Sequence, residues 1–191
     1  MSILFASSSS GIVARLRLQH ELQIIRGVVG EQVIVDAVAV STVDALRRAL
    51  MKRPYRIVHV SGHGEHGALV FEDRVGRREK IDPNALAGLF ANKAHPRGSI
   101  ECVVFNAERS SATGMPTSEL VPLTVAIDSG LGDAGAFEFS RGFYGAVAAG
   151  LSMDEAYDAG VRCRRSTASK VGFEARLLRR DKPSPRRALG Y

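Results

Sequence analysis

His63 is the residue of this 191-residue chain whose setting most suggests chemistry. It lies in Ser61-Gly62-His63-Gly64, directly after the apolar run Arg56-Ile57-Val58-His59-Val60. Glycine on either side lets the backbone approach a ligand closely and leaves the imidazole clear of bulky neighbours. Imidazole is also the side chain best placed to move protons near neutral pH. A second run, Cys102-Val103-Val104-Phe105, ends in Asn106-Ala107-Glu108. If the two runs are adjacent strands, their ends bring a base and a carboxylate together. With ordinary pKa values of about 6.5 and 4.3, the two groups are expected to form an ion pair. Ser110 and Ser111 follow just beyond. A serine nucleophile there needs hydrogen-bond reach to His63 and an oxyanion hole built around that serine; the plainer reading is surface loop serines.

Other chemistries fit less well. His59, His63 and His66 lie close in sequence, with Glu65 among them. Without paired cysteines or a helical His-Glu-x-x-His they make a weak zinc signal, and no metal is expected. His59 reads as a buried imidazole hydrogen-bonded to a neighbour. Two glycine windows, Gly62-x-Gly64-x-x-Gly67 and Gly130-x-Gly132-x-x-Gly135, match a dinucleotide-binding pattern. The first leads into a hairpin, so no helix amino terminus awaits a phosphate. The second lacks the acidic residue that should end another strand about 20 residues later. No cofactor is expected. Cys102 reads as a strand residue and Cys163 as part of a basic late helix, and two cysteines do not make a disulfide scaffold.

The elements that must position His63 and Glu108 follow from local pattern. Ile3 to Ala6 is a short strand, stopped by a loop at Ser7-Ser8-Ser9-Ser10-Gly11. Leu18, Leu22, Ile25 and Val29 share one helical face, and Gly30 ends that helix. Val33 to Val38 is a β-branched strand. Ser41 and Asp44 have capping-box spacing ahead of a second helix, which Lys52-Arg53-Pro54 stops. Ala68 to Phe71 reads as a hairpin arm turned near Asp73 to Gly76. Asp82-Pro83 caps a helix carrying Leu86, Leu89 and Phe90. A fifth strand runs from Leu123 to Ile127; helices follow, one marked by Ala134, Phe137, Arg141 and Tyr144 and the next capped by Ser152 and Glu155. After Ser166 the pattern weakens. Strands alternating with helices predict a parallel, doubly wound α/β sheet, with chemistry in loops beyond the carboxyl ends of the strands.

Length suits one domain, read here as residues 1–165, followed by a basic tail over 166–191 whose last part, 181–191, reads as disordered. The net charge is +6, but Arg162 to Tyr191 alone carries +8, so the body is slightly acidic. Such a tail attracts nucleic acid without sequence preference, although plain solvated chain is the commoner role of a charge run. No run approaches the ~20 apolar residues of a membrane span, and Met1 to Ala6 lacks the charged start of a secretory signal. A cytoplasmic protein with no membrane contact is expected.

Several blocks resemble the caspase-like CHAT domain family, of the cysteine-protease clan of caspases and separases. Leu16-Arg17-Leu18-Gln19-His20-Glu21-Leu22 is similar to the family's first helix, and His59-Val60-Ser61-Gly62-His63-Gly64 to its catalytic-histidine loop. Cys102-Val103-Val104-Phe105-Asn106-Ala107 is similar to the strand that delivers the nucleophile. Gly132-Asp133, Phe139-Ser140-Arg141-Gly142-Phe143-Tyr144, Gly150-Leu151-Ser152 and Glu155-Ala156 continue the likeness, which runs over about residues 3 to 162. The resemblance implies a caspase-like sandwich, a mostly parallel sheet with helices on both faces. It implies His63 as base, Gly64 as oxyanion donor, and a cysteine after Asn106-Ala107, where this chain has Glu108. Asp128 and Asp133 are candidates for an acidic pocket reading a basic substrate side chain, with helix capping the plainer role of Asp133. A thiolate is nucleophilic beside an imidazole; a carboxylate attacking an amide must form a high-energy anhydride and expel an amine. The function implied is therefore a degenerate peptidase relative that binds a protein or peptide partner in bacterial signalling or defence. The alternatives are an active endopeptidase with an altered residue 108 or another nucleophile, and a nucleic-acid binder working through the tail.

Overall fold

In a computed structural model of the chain, the structure describes residues 1–8, 12–39, 42–72, 77–91, 100–128, 134–165 and 173–180. β1 (Ser2–Ser8) is followed by α1 (Ile12–Val29), β2 (Ile34–Ala39) and α2 (Val43–Leu50). Next come β3 (Ile57–Gly62), β4 (Gly64–Glu65), β5 (Ala68–Glu72), β6 (Arg78–Ile81) and α3 (Pro83–Phe90). β7 (Cys102–Ala107), α4 (Ser110–Leu120), β8 (Leu123–Asp128), α5 (Ala134–Ala148), α6 (Met153–Arg165) and β9 (Glu174–Arg179) complete the order. The main sheet runs β2-β1-β3-β7-β8-β9, and β4-β5-β6 form a small antiparallel sheet. The first five strands of the main sheet pair in parallel, and β9 closes the edge antiparallel to β8. This is the mostly parallel α/β sandwich expected.

Strand alternation divides the core between the two faces. Ile3 and Phe5 of β1, Ile57 of β3, Cys102 and Val104 of β7, and Val125 and Ile127 of β8 pack with residues of α1, α5 and α6. Leu4, Val58, Val60, Val103 and Phe105 pack on the other face with α2, α3 and the hairpin residues Leu69, Phe71 and Ile81. All six residues of β3 and all six of β7 are buried. Strands covered on both faces are the rule in parallel sheets with helical crossovers.

Most local signals hold. Gly30 takes a φ of 67° just past α1, the left-handed conformation that glycine accepts at a helix end. Asp82 accepts a hydrogen bond from the Ala85 amide (2.8 Å), and the Ser152–Glu155 capping box closes in both directions. Others differ. β1 continues through Ser7 and Ser8, because both pair in register with Ser61 and Gly62 of β3. β3 and β7 likewise run to Gly62 and Ala107, past the ends expected from their apolar runs. The cap of α2 is Thr42, which accepts from the Ala45 amide (3.1 Å); Ser41 lies outside the described residues.

The sequence reading missed α4 and β9, as well as the two-residue β4. α4 contains Gly114 and Pro116, a poor helix former and a helix breaker. It forms because its small residues seat on the sheet: a Cβ at Gly114 would lie 3.3–3.4 Å from Thr124, Ala126 and Leu178. β9 lies within the stretch assigned to the tail, and its ladder with β8 and the Tyr157 hydroxyl bond to Ala175 O (2.8 Å) place it in the sheet. Residues 181–191 lie outside the described residues, as do Ser9, Ser10, Gly11 and the turn over 73–76.

α5 and α6 meet through glycine. A Cβ at Gly142 would lie 2.6 Å from Ala159 O and 2.7 Å from Cys163 Cβ, whereas one at Gly145 meets nothing within 4 Å. Gly142→Ala is therefore expected to lower stability by about 1–3 kcal/mol. Gly145→Ala should raise it by about 0.5–1 kcal/mol through reduced unfolded-state freedom. Urea-denaturation midpoints of the two variants check this, and midpoints moving in the same direction would contradict it.

Candidate functional site

The carboxyl ends of β3 and β7 lie side by side, with Ser61 in register with Asn106. His63 is the single residue between β3 and β4, and it is partly buried. Its carbonyl accepts the Val70 amide (3.0 Å), which ties the loop to the hairpin. Glu108 follows β7 directly and is exposed. The two loops touch through backbone. A Cβ at position 64 would lie 3.0 Å from both the carbonyl carbon and the amide nitrogen of Glu108, and closer still to its carbonyl oxygen. Only glycine permits that approach. Gly62 likewise meets Ser8, where a Cβ would lie 2.6 Å from the carbonyl oxygen.

The expected ion pair does not form. Among the described residues no ion pair or hydrogen bond joins His63 to Glu108. The chain turns immediately after Glu108, with Arg109 at a φ of 54°, and the carboxylate stays in solvent. An exposed carboxylate gains little from a partner that would cost it hydration and side-chain freedom.

Ser110 and Ser111 are not loop residues. They form the first turn of α4, and Ser110 is buried. Both hydroxyls donate to Asp128, Ser110 Oγ to Oδ1 at 3.0 Å and Ser111 Oγ to Oδ2 at 2.6 Å. The Ser111 amide also donates to Oδ1 (3.0 Å). Asp128, the last residue of β8, thus supplies from a neighbouring strand the cap that Arg109 does not. Both of its oxygens are engaged. Asp133, Gly130 and Gly132 lie outside the described residues.

Beneath this mouth lies a cluster that the sequence reading did not single out. Glu21, in the middle of α1, is 1% exposed. Its Oε2 accepts from Ser61 Oγ (2.7 Å), and its Oε1 accepts from Asn106 Nδ2 (2.7 Å) and Ser140 Oγ (3.1 Å). His59 Nε2 lies 3.2 Å from Oε1, a close electrostatic contact without hydrogen-bond alignment. His59 Nδ1 is 2.7 Å from the Tyr144 hydroxyl, so His59 is the buried, bonded imidazole expected. Burial by itself drives the Glu21 carboxyl pKa up. The attraction of His59 and the donated hydrogen bonds outweigh it, and the net is a pKa below the ordinary value. Burial holds the Tyr144 hydroxyl well above its usual range, so it stays protonated.

A signal for the cluster was present. Glu21 falls at helical spacing between Leu18 and Ile25, inside the apolar stripe of α1. His59 and Ser61 alternate with Ile57, and Asn106 alternates with Cys102 and Val104, on the face turned to α1.

A family comparison now bears on this arrangement: the family described as CHAT domain matches residues 8–167. The chain belongs to the CHAT domain family. A comparison with curated proteins finds no match. The CHAT match spans every element from α1 to α6, including the strand ends that carry His63 and Glu108. No described helix of this CHAT domain is long and apolar enough to cross a membrane. No group of three or more histidine, cysteine or acidic side chains among its described residues could hold a metal ion.

Two outcomes follow. A carboxyl whose folded pKa is lowered contributes stability above its unfolded value, and that stability is lost as pH falls through the folded value. For Glu21 the loss begins as pH drops below the ordinary 4.5. The urea midpoint should therefore fall with acid in this window, and Glu21→Gln should flatten the fall; an equally steep acid limb in the variant would contradict the assignment. Burial also pushes the Cys102 thiol up to about 12, and the residue is buried in the core. An alkylating reagent applied to the native protein should modify Cys163 and spare Cys102 until denaturant is added, as read by peptide mass mapping.

Proposed function

We propose that this CHAT domain acts as a protein- or peptide-binding module, of the kind used in bacterial signalling or defence, and not as a peptidase. The observation that carries this reading is Glu108. By the family resemblance it stands where the nucleophilic cysteine belongs, at the end of β7 and against Gly64 of the histidine loop. His63 is retained as the would-be base, and Gly64 as the would-be oxyanion donor. Of the other candidates near this site, both serine hydroxyls donate to Asp128 and not to His63, and Cys102 is buried within the strand. A peptidase needs the nucleophile within hydrogen-bond reach of its base. With a carboxylate in that place, an acyl intermediate would be an anhydride, and expelling an amine to form it is uphill. What the mouth still offers is two backbone loops in close contact and an exposed anionic side chain.

The purified chain and its His63→Ala variant would be incubated with the protein products of neighbouring genes and a mixed peptide library. The expected outcome is no cleavage by either, with the same partner retained by both. Cleavage that disappears with His63 would overturn the reading and establish a working hydrolase.

A further inference from the structure

We propose that Glu21 is the positioning residue of the mouth: its buried carboxylate fixes the ends of β3 and β7 so that position 63 faces position 108. The inference rests on the reading that these two positions share one site.

The geometry is repeated on the two strands. Ser61 lies two residues before His63, and Asn106 two residues before Glu108. They are register partners on adjacent strands, and each donates to Glu21 at 2.7 Å, one to each oxygen. A single carboxylate therefore spans the two strands one step below the exits of both loops. Main-chain pairing fixes where the strands lie side by side, but not how each exit is turned. Holding the last side chain that each strand turns toward α1 removes that freedom. The remaining contacts anchor the clamp from behind. Ser140 donates from α5 (3.1 Å), and His59 faces the carboxylate while itself held by Tyr144 of α5.

Stability alone does not account for an ionised group in this place. Replacing a buried charged cluster with packed apolar side chains is often neutral or stabilising, so a core of this type gains little by containing one. What a carboxylate adds is two acceptor oxygens at fixed separation, which match two donors on two strands. Glutamine keeps the shape but loses the charge and one acceptor oxygen. With its amide toward Ser61 that hydroxyl must reverse and accept, and with its amide toward Asn106 two N–H donors oppose each other. In neither orientation do both charge-assisted bonds survive.

The test introduces a reporter at the mouth. In a Glu108→Cys background, the alkylation rate of the new thiol is measured across pH on folded protein. Reference variants add His63→Ala, Glu21→Gln or Ser61→Ala. A well-placed imidazole increases the thiolate fraction, and each pKa unit it removes is worth about tenfold in reactivity below the pKa. With Glu21 intact, His63→Ala is expected to slow alkylation at neutral pH about tenfold. Glu21→Gln should reproduce most of that loss in rate and displace the pH profile toward that of the His63→Ala variant. Ser61→Ala, which leaves the charge in place, should act in the same direction by about threefold on the same scale, and it decides the matter if Glu21→Gln does not fold. If His63→Ala slows the thiol while the profiles of the Glu21 and Ser61 variants stay unchanged, the positioning role is overturned and the cluster only supports the fold. If His63→Ala has no effect, the shared site itself fails and the inference falls with it.

Discussion

A single buried carboxylate makes the demand that the rest of this structure meets. An ionised group removed from water is tolerated only when its lone pairs are filled. Glu21 fills them with hydroxyl and amide donors from β3, β7 and α5, backed by the imidazole of His59. Each partner is itself buried, so displacing any of them would leave a second unsatisfied group in the core. The first helix, two central strands and the long helix α5 are therefore bound to one another by polar geometry as well as by apolar packing. Hydrophobic contact tolerates sliding. A carboxylate with three donors does not.

The mouth above the cluster is shaped by the same economy of space. Gly62 and Gly64 let the histidine loop press on the backbone of β1 and of residue 108, where a side chain would force the loops apart. Gly67, at a φ of 82°, brings the hairpin against Ala112, and the Thr113 hydroxyl secures it by donating to Gly67 O (2.9 Å). The residue at position 108, whose backbone Gly64 meets, is a glutamate that follows Asn106-Ala107. Glu108 is exposed, while a second acidic side chain of this region, Asp128, is committed to the first turn of α4. Placement separates them: one is exposed, the other has both oxygens engaged by the start of a helix.

The sequence was most legible where structure depends on near neighbours. Proline after Asp82, the Ser152–Glu155 box and Gly30 each act within a turn of their own position, and each was found where expected. The apolar runs of β3 and β7 and the stripe of α1 were equally plain, and the CHAT resemblance pointed to the two loops that carry His63 and Glu108. α4 was hidden because Gly114 and Pro116 oppose helix locally, and what overrides them is a seat on Thr124, Ala126 and Leu178. β9 was hidden because Glu174-Ala175-Arg176-Leu177-Leu178-Arg179 mixes charged with apolar residues inside a stretch that reads as a basic tail. An edge strand tolerates such a mixture, since one side of its ladder faces solvent. The ion pair expected between His63 and Glu108 failed for another reason: pKa values describe what two groups would do in contact and say nothing of whether the backbone turns them together.

By itself, then, the sequence determined most of the strands and helices and the apolar stripe of α1, and it placed polar residues at positions 21, 59, 61, 106 and 140 within or beside apolar segments. Only the tertiary structure decided that these residues are one object. Glu21 finds its hydrogen-bond donors 40, 85 and 119 residues away along the chain. Periodicity assigns a side chain to a face, but the sheet order sets which faces meet, and that order is fixed by packing among elements distant in sequence. A polar residue on a buried face announces that it must have a partner; the fold alone supplies which one.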